Sequence, residues 1–244
     1  MIGLILAAGE GKRLNDDLPE KTVKSLVKIN NKCLVEYSLK NCYDAGIERV
    51  VIIVSEANRE AILSEIGEEF CGMKIIYCVQ KSPCGLVNAI MSASEYLSDS
   101  VMLQLSDEIF IHPKISECIK TFNTGSDFVV TYVYENDAEK IRNNFSVSFD
   151  GDENIVCCTE KPRDIINNLK GTGLCVFSAE CMDFLKQVYN PIDNSPDNLC
   201  DFINLLIKNK KTGKLFCLAE EEININTAKE LKYVMEIIKD GNVQ

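Results

Sequence analysis

The chain has 244 residues, 46% hydrophobic and 26% charged, with 13 Gly and 6 Pro, a balance that predicts one large or two small globular domains and excludes collagen-like and low-complexity chains. A net charge of −11, from 26 basic against 37 acidic side chains, argues against a duplex nucleic-acid binder, which gains affinity by neutralising phosphates, yet allows a local nest of cations around one small ligand. No apolar run approaches the ~20 residues of a membrane span, so no membrane partner is expected.

Ile2–Ala7 is an apolar run without helical period that passes straight into Gly9-Glu10-Gly11-Lys12-Arg13; it predicts a buried first strand rather than a signal peptide. Asn15-Asp16-Asp17-Leu18-Pro19 is expected to break any helix there, and Leu26–Ile29 is a brief apolar segment. Val35, Leu39 and Cys42 share one helical face, closed by Gly46. Val50–Val54 predicts a buried strand, and Asn58 a cap for a helix carrying Ala61, Ile62 and Ile66. Lys74–Val79 predicts the next strand, about Leu86–Leu97 a helix, and Val101–Leu105 another strand. Strand and helix alternating in this way imply a mostly parallel sheet covered by helices on both faces.

The second half is richer in strands. Asp127–Tyr134 and Phe145–Phe149 alternate as strands do, with Ile155–Thr159 paired to the latter across Asp150-Gly151-Asp152. Gly173–Phe177 follows, then helices over Ala179–Val188 and Asp197–Lys208. Thr227-Ala228-Lys229-Glu230 has capping-box spacing, and Leu231, Val234, Met235 and Ile238 form one face of a last helix. No linker and no internal repeat divides the chain. A single α/β domain is expected, with a mixed, mostly parallel central sheet and a smaller β-rich C-terminal lobe.

Twelve Cys occur without a CxxC pair, and His112 is the one His. A structural zinc site needs clustered Cys and His, so reduced core thiols in a cytoplasmic protein are expected instead. Cys157 and Cys158, adjacent in a strand, face opposite ways. His112, beside Pro113, reads as a loop residue, which removes His-based nucleophilic schemes.

The chemistry concentrates in Leu4–Leu14, LILAAGEGKRL. Small residues and glycines let a ligand approach the backbone, whose N–H groups can form an anion nest. Lys12 and Arg13 then place charge where phosphates would lie. A dinucleotide fingerprint wants a third glycine, where Leu14 stands, and a helix opening at once. A Walker loop wants Lys-Ser/Thr after four spacers. A plain Gly-rich turn would leave the paired cations without a purpose.

LAAGEGKRL, then Val23-Lys24-Ser25-Leu26 and Lys32-Cys33-Leu34-Val35-Glu36-Tyr37, resembles the nucleotidylyltransferase superfamily, which includes sugar-1-phosphate thymidylyl-, uridylyl- and guanylyltransferases and CTP-dependent enzymes that activate small phosphates. Gln80-Lys81-Ser82-Pro83-Cys84-Gly85-Leu86, Leu105-Ser106-Asp107-Glu108, Glu160-Lys161-Pro162, Thr172-Gly173-Leu174 and Ile225-Asn226-Thr227 continue the resemblance in the family's order. It implies a Rossmann-like, glycosyltransferase-A-like domain over residues 1–244, with nucleotide bound by 1–110 and acceptor by 111–244. It also implies transfer of the NMP of a nucleoside triphosphate (CTP, dTTP or UTP) to the phosphate of a small phosphorylated substrate, with Mg2+ as cofactor. A homo-oligomer stays open.

In detail, the resemblance implies Arg13 on the leaving pyrophosphate and Lys24 on the α-phosphoryl group. Lys21 is a rival, because this loop carries an insertion-like Pro-Glu-Lys-Thr, and Val23 replaces the proline that would set the lysine's register. Leu6, Ala7, Ala8, Gly9, Gly11, Lys12, Gln80 and Gly85 would bind the nucleotide. Gln offers a donor and an acceptor to a pyrimidine edge. Asp107, at a strand's carboxyl end, and Asn226 (or Asn224) would hold the metal. Glu108, Ser146, Glu160, Lys161 and Gly173 would meet the acceptor. Ser106 and Glu108 stand where sugar-using relatives have Gly and Asn, Phe145-Ser146 where they have Tyr-Gly, and no matching arginine lies near Asn194–Asp201. A sugar 1-phosphate and a non-sugar phosphate that puts a cationic group on Glu108 are therefore both expected acceptors. The other class of reading is a non-catalytic nucleotide-binding domain of the same fold.

Overall fold

The computed structural model describes residues 1–18, 22–151 and 154–239. Strand β1 (Ile2–Leu6) is buried through most of its length, as its unbroken apolar run requires. It is followed not by an open loop but by a short helix, α1 (Lys12–Asp17), which opens directly after Gly11 and ends where Leu18 turns extended, the conformation favoured before a proline. The expectation that the Asn15–Pro19 run breaks a helix is corrected to this extent: the polar residues sit inside α1 and the chain leaves it only at Leu18. The hairpin of β2 (Lys28–Ile29) and β3 (Lys32–Cys33) leads into α2 (Leu34–Asp44). Next come β4 (Arg49–Val54), α3 (Arg59–Ile66), β5 (Glu69–Phe70), β6 (Met73–Val79) and α4 (Leu86–Ser92). The helix expected to Leu97 stops at Ser92 and continues as one 3-10 turn, Ser94–Tyr96.

The chain then runs through β7 (Val101–Leu105), β8 (Glu108–Ile111), α5 (Ile115–Phe122), β9 (Phe128–Tyr134), α6 (Ala138–Arg142), β10 (Phe145–Phe149), β11 (Ile155–Glu160) and β12 (Leu169–Phe177). Helices α7 (Ala179–Val188) and α8 (Leu199–Lys208), strands β13 (Gly213–Cys217) and β14 (Glu221–Asn224), and helix α9 (Ala228–Lys239) complete it.

Among the described residues, ten strands form one sheet, in the order β11-β10-β12-β7-β1-β4-β6-β5, with β9 paired to β12 and β13. Its centre, β7-β1-β4-β6, is parallel, and β12 joins it antiparallel. The fold is a mixed α/β, Rossmann-like sheet with helices on both faces. Two apolar clusters cover those faces. Gln104, fully buried on β7, is satisfied by α2: it donates to the Ser38 carbonyl at 2.7 Å and accepts from Asn41 at 3.2 Å. Such complete pairing removes the desolvation cost of a polar core residue. A third cluster lies to one side, where Leu14, Val27, Ile29, Leu34 and Ile109 meet Ile223, Ile225, Val234 and Ile238. It fastens α1 and α9 to the small β8–β14 sheet.

Asn58 stands at the start of α3 but does not cap it with its side chain. The amide instead accepts from Ser55 N–H and donates to the Ala7 carbonyl at 2.8 Å, so it braces the loop after β1. No helix among the described residues is long and apolar enough to cross a membrane.

The cysteines behave as small hydrophobes. All twelve are free thiols, and burial pushes Cys33, Cys42 and Cys118 up to about 12. In the unfolded chain a thiol ionises near 8.5. From about pH 9 to 12 the folded protein therefore holds more protons than the unfolded one, and stability falls as pH rises. The thermal midpoint is expected to drop steadily between pH 8 and pH 10.5; a midpoint flat across that interval contradicts the assignment.

Candidate functional site

The loop between β1 and α1 opens at the carboxyl end of the parallel strands, where ligands bind in sheets of this kind. Among the described residues, the backbone N–H groups of Ala8, Gly9, Glu10 and Gly11 donate to no protein acceptor, leaving them for an anion. Gly11 is left-handed, with φ 62°, and a Cβ there would lie 2.7 Å from the Cβ of Lys24. Only glycine permits both the turn and the approach.

Lys24 opens a 3-10 turn, Lys24–Leu26, and sends its ammonium inward. It pairs with Asp107 at the β7–β8 turn and donates to Asn226 Oδ1 at 3.0 Å. Arg13 Nη2 donates to the same oxygen at 3.1 Å. Asn226 is turned to suit: its Nδ2 donates to Asn224 Oδ1 at 2.7 Å, so its oxygen faces the cations. The Thr227–Glu230 capping box forms, and Glu230 also accepts from Asn226 N–H at 2.8 Å. Asn224, the alternative metal ligand, thus orients Asn226. Lys12 points outward to Glu10 at 2.6 Å. Lys21 lies outside the described residues.

These groups line a cavity of about 570 Å³ in which every residue expected to bind nucleotide or metal takes part, from Leu6, Ala7, Ala8, Gly9, Gly11, Lys12 and Arg13 to Lys24, Gln80, Gly85, Asp107 and Asn226. Glu10, Ser25, Pro83 and Ser106 join them. A second cavity of about 790 Å³ shares Arg13 and Asn226 with the first. Lys161 lines it, in a left-handed conformation of φ 44°. So do Lys140, Lys170, Lys229, Glu222 and Tyr233, which the sequence reading missed because they come from separate segments that carry no common motif.

The remaining expected acceptor residues sit elsewhere. Glu108, Ser146, Glu160 and Gly173 line neither cavity. Glu108 is 2% exposed, and its two oxygens accept from Gly173 N–H at 2.9 and 3.0 Å. Burial, then the nearby Glu222 and Asp107, raise its carboxyl well above the usual range. The expectation that Glu108 meets a cationic acceptor is corrected: the first residue of β8 turns inward and its carboxyl is occupied by the strand β12 backbone. A Cβ on Gly173 would lie 2.7 Å from Glu108 Oε1, so that glycine serves the close approach. Ser146 is buried on β10, while Glu160 is exposed at the end of β11.

Asp107 and Asn226 converge on one cationic atom, the Lys24 ammonium. A carboxylate and an amide oxygen so placed suit Mg2+, which takes one or two protein oxygens and completes its octahedron with phosphate and water. The donor set fits that ion better than zinc, which prefers closed sets of thiolate and imidazole.

A sequence model of the nucleotidyl transferase family matches residues 2–222. The chain belongs to the nucleotidyl transferase family. It is similar to the UTP–glucose-1-phosphate uridylyltransferase AglF of Haloferax volcanii, at 28% identity over 87% of this chain and 86% of that one. It is also similar to the glucose-1-phosphate thymidylyltransferase of Mycolicibacterium smegmatis, at 28% identity over 77% of this chain and 65% of that one. Of some curated relatives it spans only 52% of the length. The inositol-1-phosphate CTP transferase of T. maritima shares the fold, with a TM-score of 0.76 at 19% identity over 100% and 97% of the two chains.

The wall of the second cavity holds a buried ion pair. Lys170 Nζ lies 2.8 Å from Glu222 Oε2 and donates to the Glu222 carbonyl at 2.9 Å, with both side chains almost wholly buried. Removing one partner of such a pair strands the other charge at a cost of about 3–5 kcal/mol. Lys170→Met is expected to destabilise by about 3 kcal/mol in denaturant unfolding, and adding Glu222→Leu to restore most of the loss. A single variant as stable as the unaltered protein contradicts the pairing.

Proposed function

We propose that the chain transfers the nucleotidyl group of a pyrimidine nucleoside triphosphate to the phosphate of a sugar 1-phosphate, releasing pyrophosphate. The supporting observation is that two cavities meet at Arg13 and Asn226, with Lys24 and Asp107 beside the junction. One side offers unpaired backbone N–H groups for a triphosphate and the other offers lysines for a second phosphate. An oxygen of the acceptor phosphate attacks the α-phosphorus, a new P–O bond forms, and the bond to the β-phosphate oxygen breaks. Both reactants are anions, so the protein's contribution is alignment and charge neutralisation.

In this reading Arg13 grips the departing pyrophosphate, since a guanidinium holds two phosphate oxygens at once. Lys24 turns from Asp107 to the α-phosphoryl oxygens. Asp107 and Asn226 would hold Mg2+, which when bound neutralises triphosphate charge. Residues up to 110 supply the first cavity apart from Asn226, and Lys161 in the later half takes the acceptor's phosphate.

The named activities of the relatives favour a sugar acceptor, and so does the charge around the second cavity. Arg13, Lys140, Lys161, Lys170 and Lys229 outnumber Asp137, Glu222 and Glu230 there, which disfavours a cationic acceptor group. Asn143, Asn144 and Tyr233 can bond hydroxyls. CTP-dependent activation of a non-sugar phosphate is the second reading, favoured by the shared fold of the inositol-1-phosphate CTP transferase.

Pyrophosphate release, screened with four triphosphates against sugar phosphates, phosphocholine and phosphoamides, tests the proposal. Arg13→Ala and Lys24→Ala are each expected to lower kcat/KM about a hundredfold, the scale of one preorganised charge donor, and excess EDTA to stop turnover. No release with any pair of substrates would leave the non-catalytic reading in its place.

A further inference from the structure

The hydroxyl of Ser25 has no part in the chemistry described so far. Ser25 is 2% exposed, and its Oγ is closed to water and without a hydrogen-bond partner among the described residues. The residue nonetheless lines the first cavity. Buried polar atoms are nearly always bonded, so an unpaired one in a cavity wall needs an explanation. The turn that carries it, Lys24–Leu26, is held on both sides: Leu26 packs on one apolar cluster, and Val27 belongs to another. Ser25 is left with rotation about Cα–Cβ, among three staggered positions. Its neighbours identify the part of the cavity it serves. A Cβ on Gly11 would lie 2.7 Å from the Cβ of Lys24, so the turn is seated directly on the loop whose N–H groups are unbonded. Gln80, Pro83 and Gly85, on the other side of the cavity, follow β6, which lies two strands from β1 in the sheet. Ser25 thus stands with the anion nest.

We propose that Ser25 donates its hydroxyl to a phosphate oxygen of the nucleoside triphosphate, and that the free protein carries this hydroxyl unpaired, at a cost in stability, until that oxygen is bound. This rests on the proposed binding of a triphosphate in the first cavity. A hydroxyl has one proton to give, and phosphate oxygens accept it. A buried hydroxyl without a partner costs its full desolvation, whereas a bond to an anion is stronger than one between neutral groups. Serine supplies that bond without adding charge, next to an ammonium already positioned by Asp107 and Asn226. The two consequences have opposite signs. The hydroxyl lowers the stability of the free protein and raises its affinity for the anion. A hydroxyl with a purely structural role, bonded to protein or to ordered water, would raise stability and leave the affinity alone.

Two measurements on the full chain test this: thermal unfolding without ligand, and calorimetric titration with UTP and with inorganic tripolyphosphate, which has neither base nor ribose. In Ser25→Ala the midpoint of the free protein is expected to be equal or higher. Its affinity for both anions is expected to fall at least about tenfold, the ratio that ~1.4 kcal/mol produces. Ser25→Cys replaces the hydroxyl by a weak donor of similar shape; it should show the same losses, and it decides where alanine packs poorly. A midpoint lowered in both variants means that the hydroxyl is already satisfied in the free protein, and overturns the proposal. So do affinities unchanged in both variants. A loss confined to UTP places the hydroxyl on the nucleoside and overturns it as well. If the unaltered protein binds neither probe, the proposed reaction falls together with this inference. The expected losses without pyrophosphate release from any pair of substrates overturn the reaction alone.

Discussion

Asp107 brings a carboxylate to the first cavity of an acidic chain, and the Lys24 ammonium is what offsets it. It stands between Asp107, from the end of a parallel strand, and Asn226, from the start of the last helix. Three segments far apart in sequence are thus tied at one point, each held by its own apolar anchor. Val27 fixes the turn that carries Lys24, Ile109 the strand after Asp107, and Ile225 the residue before Asn226, all within one cluster. The ion pair alone, partly open to water, would contribute little to stability. Its placement depends on the packing beneath it.

The same economy of charge appears deeper in the fold. Glu108 and Glu222 are both buried with raised carboxyl pKa values. One is quenched by a backbone N–H at Gly173 and the other by Lys170. Each of these two carboxyl groups thus has a partner within the fold.

Much of this was legible in the sequence where chemistry and local structure coincide. The nest residues, the two cations and Asp107 occupy contiguous motifs at strand ends, and the parallel centre of the sheet follows from unbroken apolar runs such as Val50–Val54. Helix α1 was missed because Leu14 supplies a single apolar contact, so tertiary packing and not period makes the helix. Glu108 was misread for a related reason. A carboxylate beside an Asp expected to hold a metal looks functional in one dimension, and only the approach of Gly173, sixty-five residues away, shows that it is spoken for. Nothing local marks Lys170 with Glu222, since that pair is made by topology.

The cap at Glu230 has a consequence for how the protein comes into being. The carboxylate that starts the last helix also holds the backbone of Asn226, and that helix is anchored through Val234 and Ile238 in the cluster that seats Arg13. During synthesis the parallel centre of the sheet, β7-β1-β4-β6, is available once little more than a hundred residues have emerged. Until the final helix docks, Lys24 and Asp107 face each other with no amide opposite them. The junction of the two cavities is therefore complete only when the last helix is docked, whatever the order in which the sheet forms.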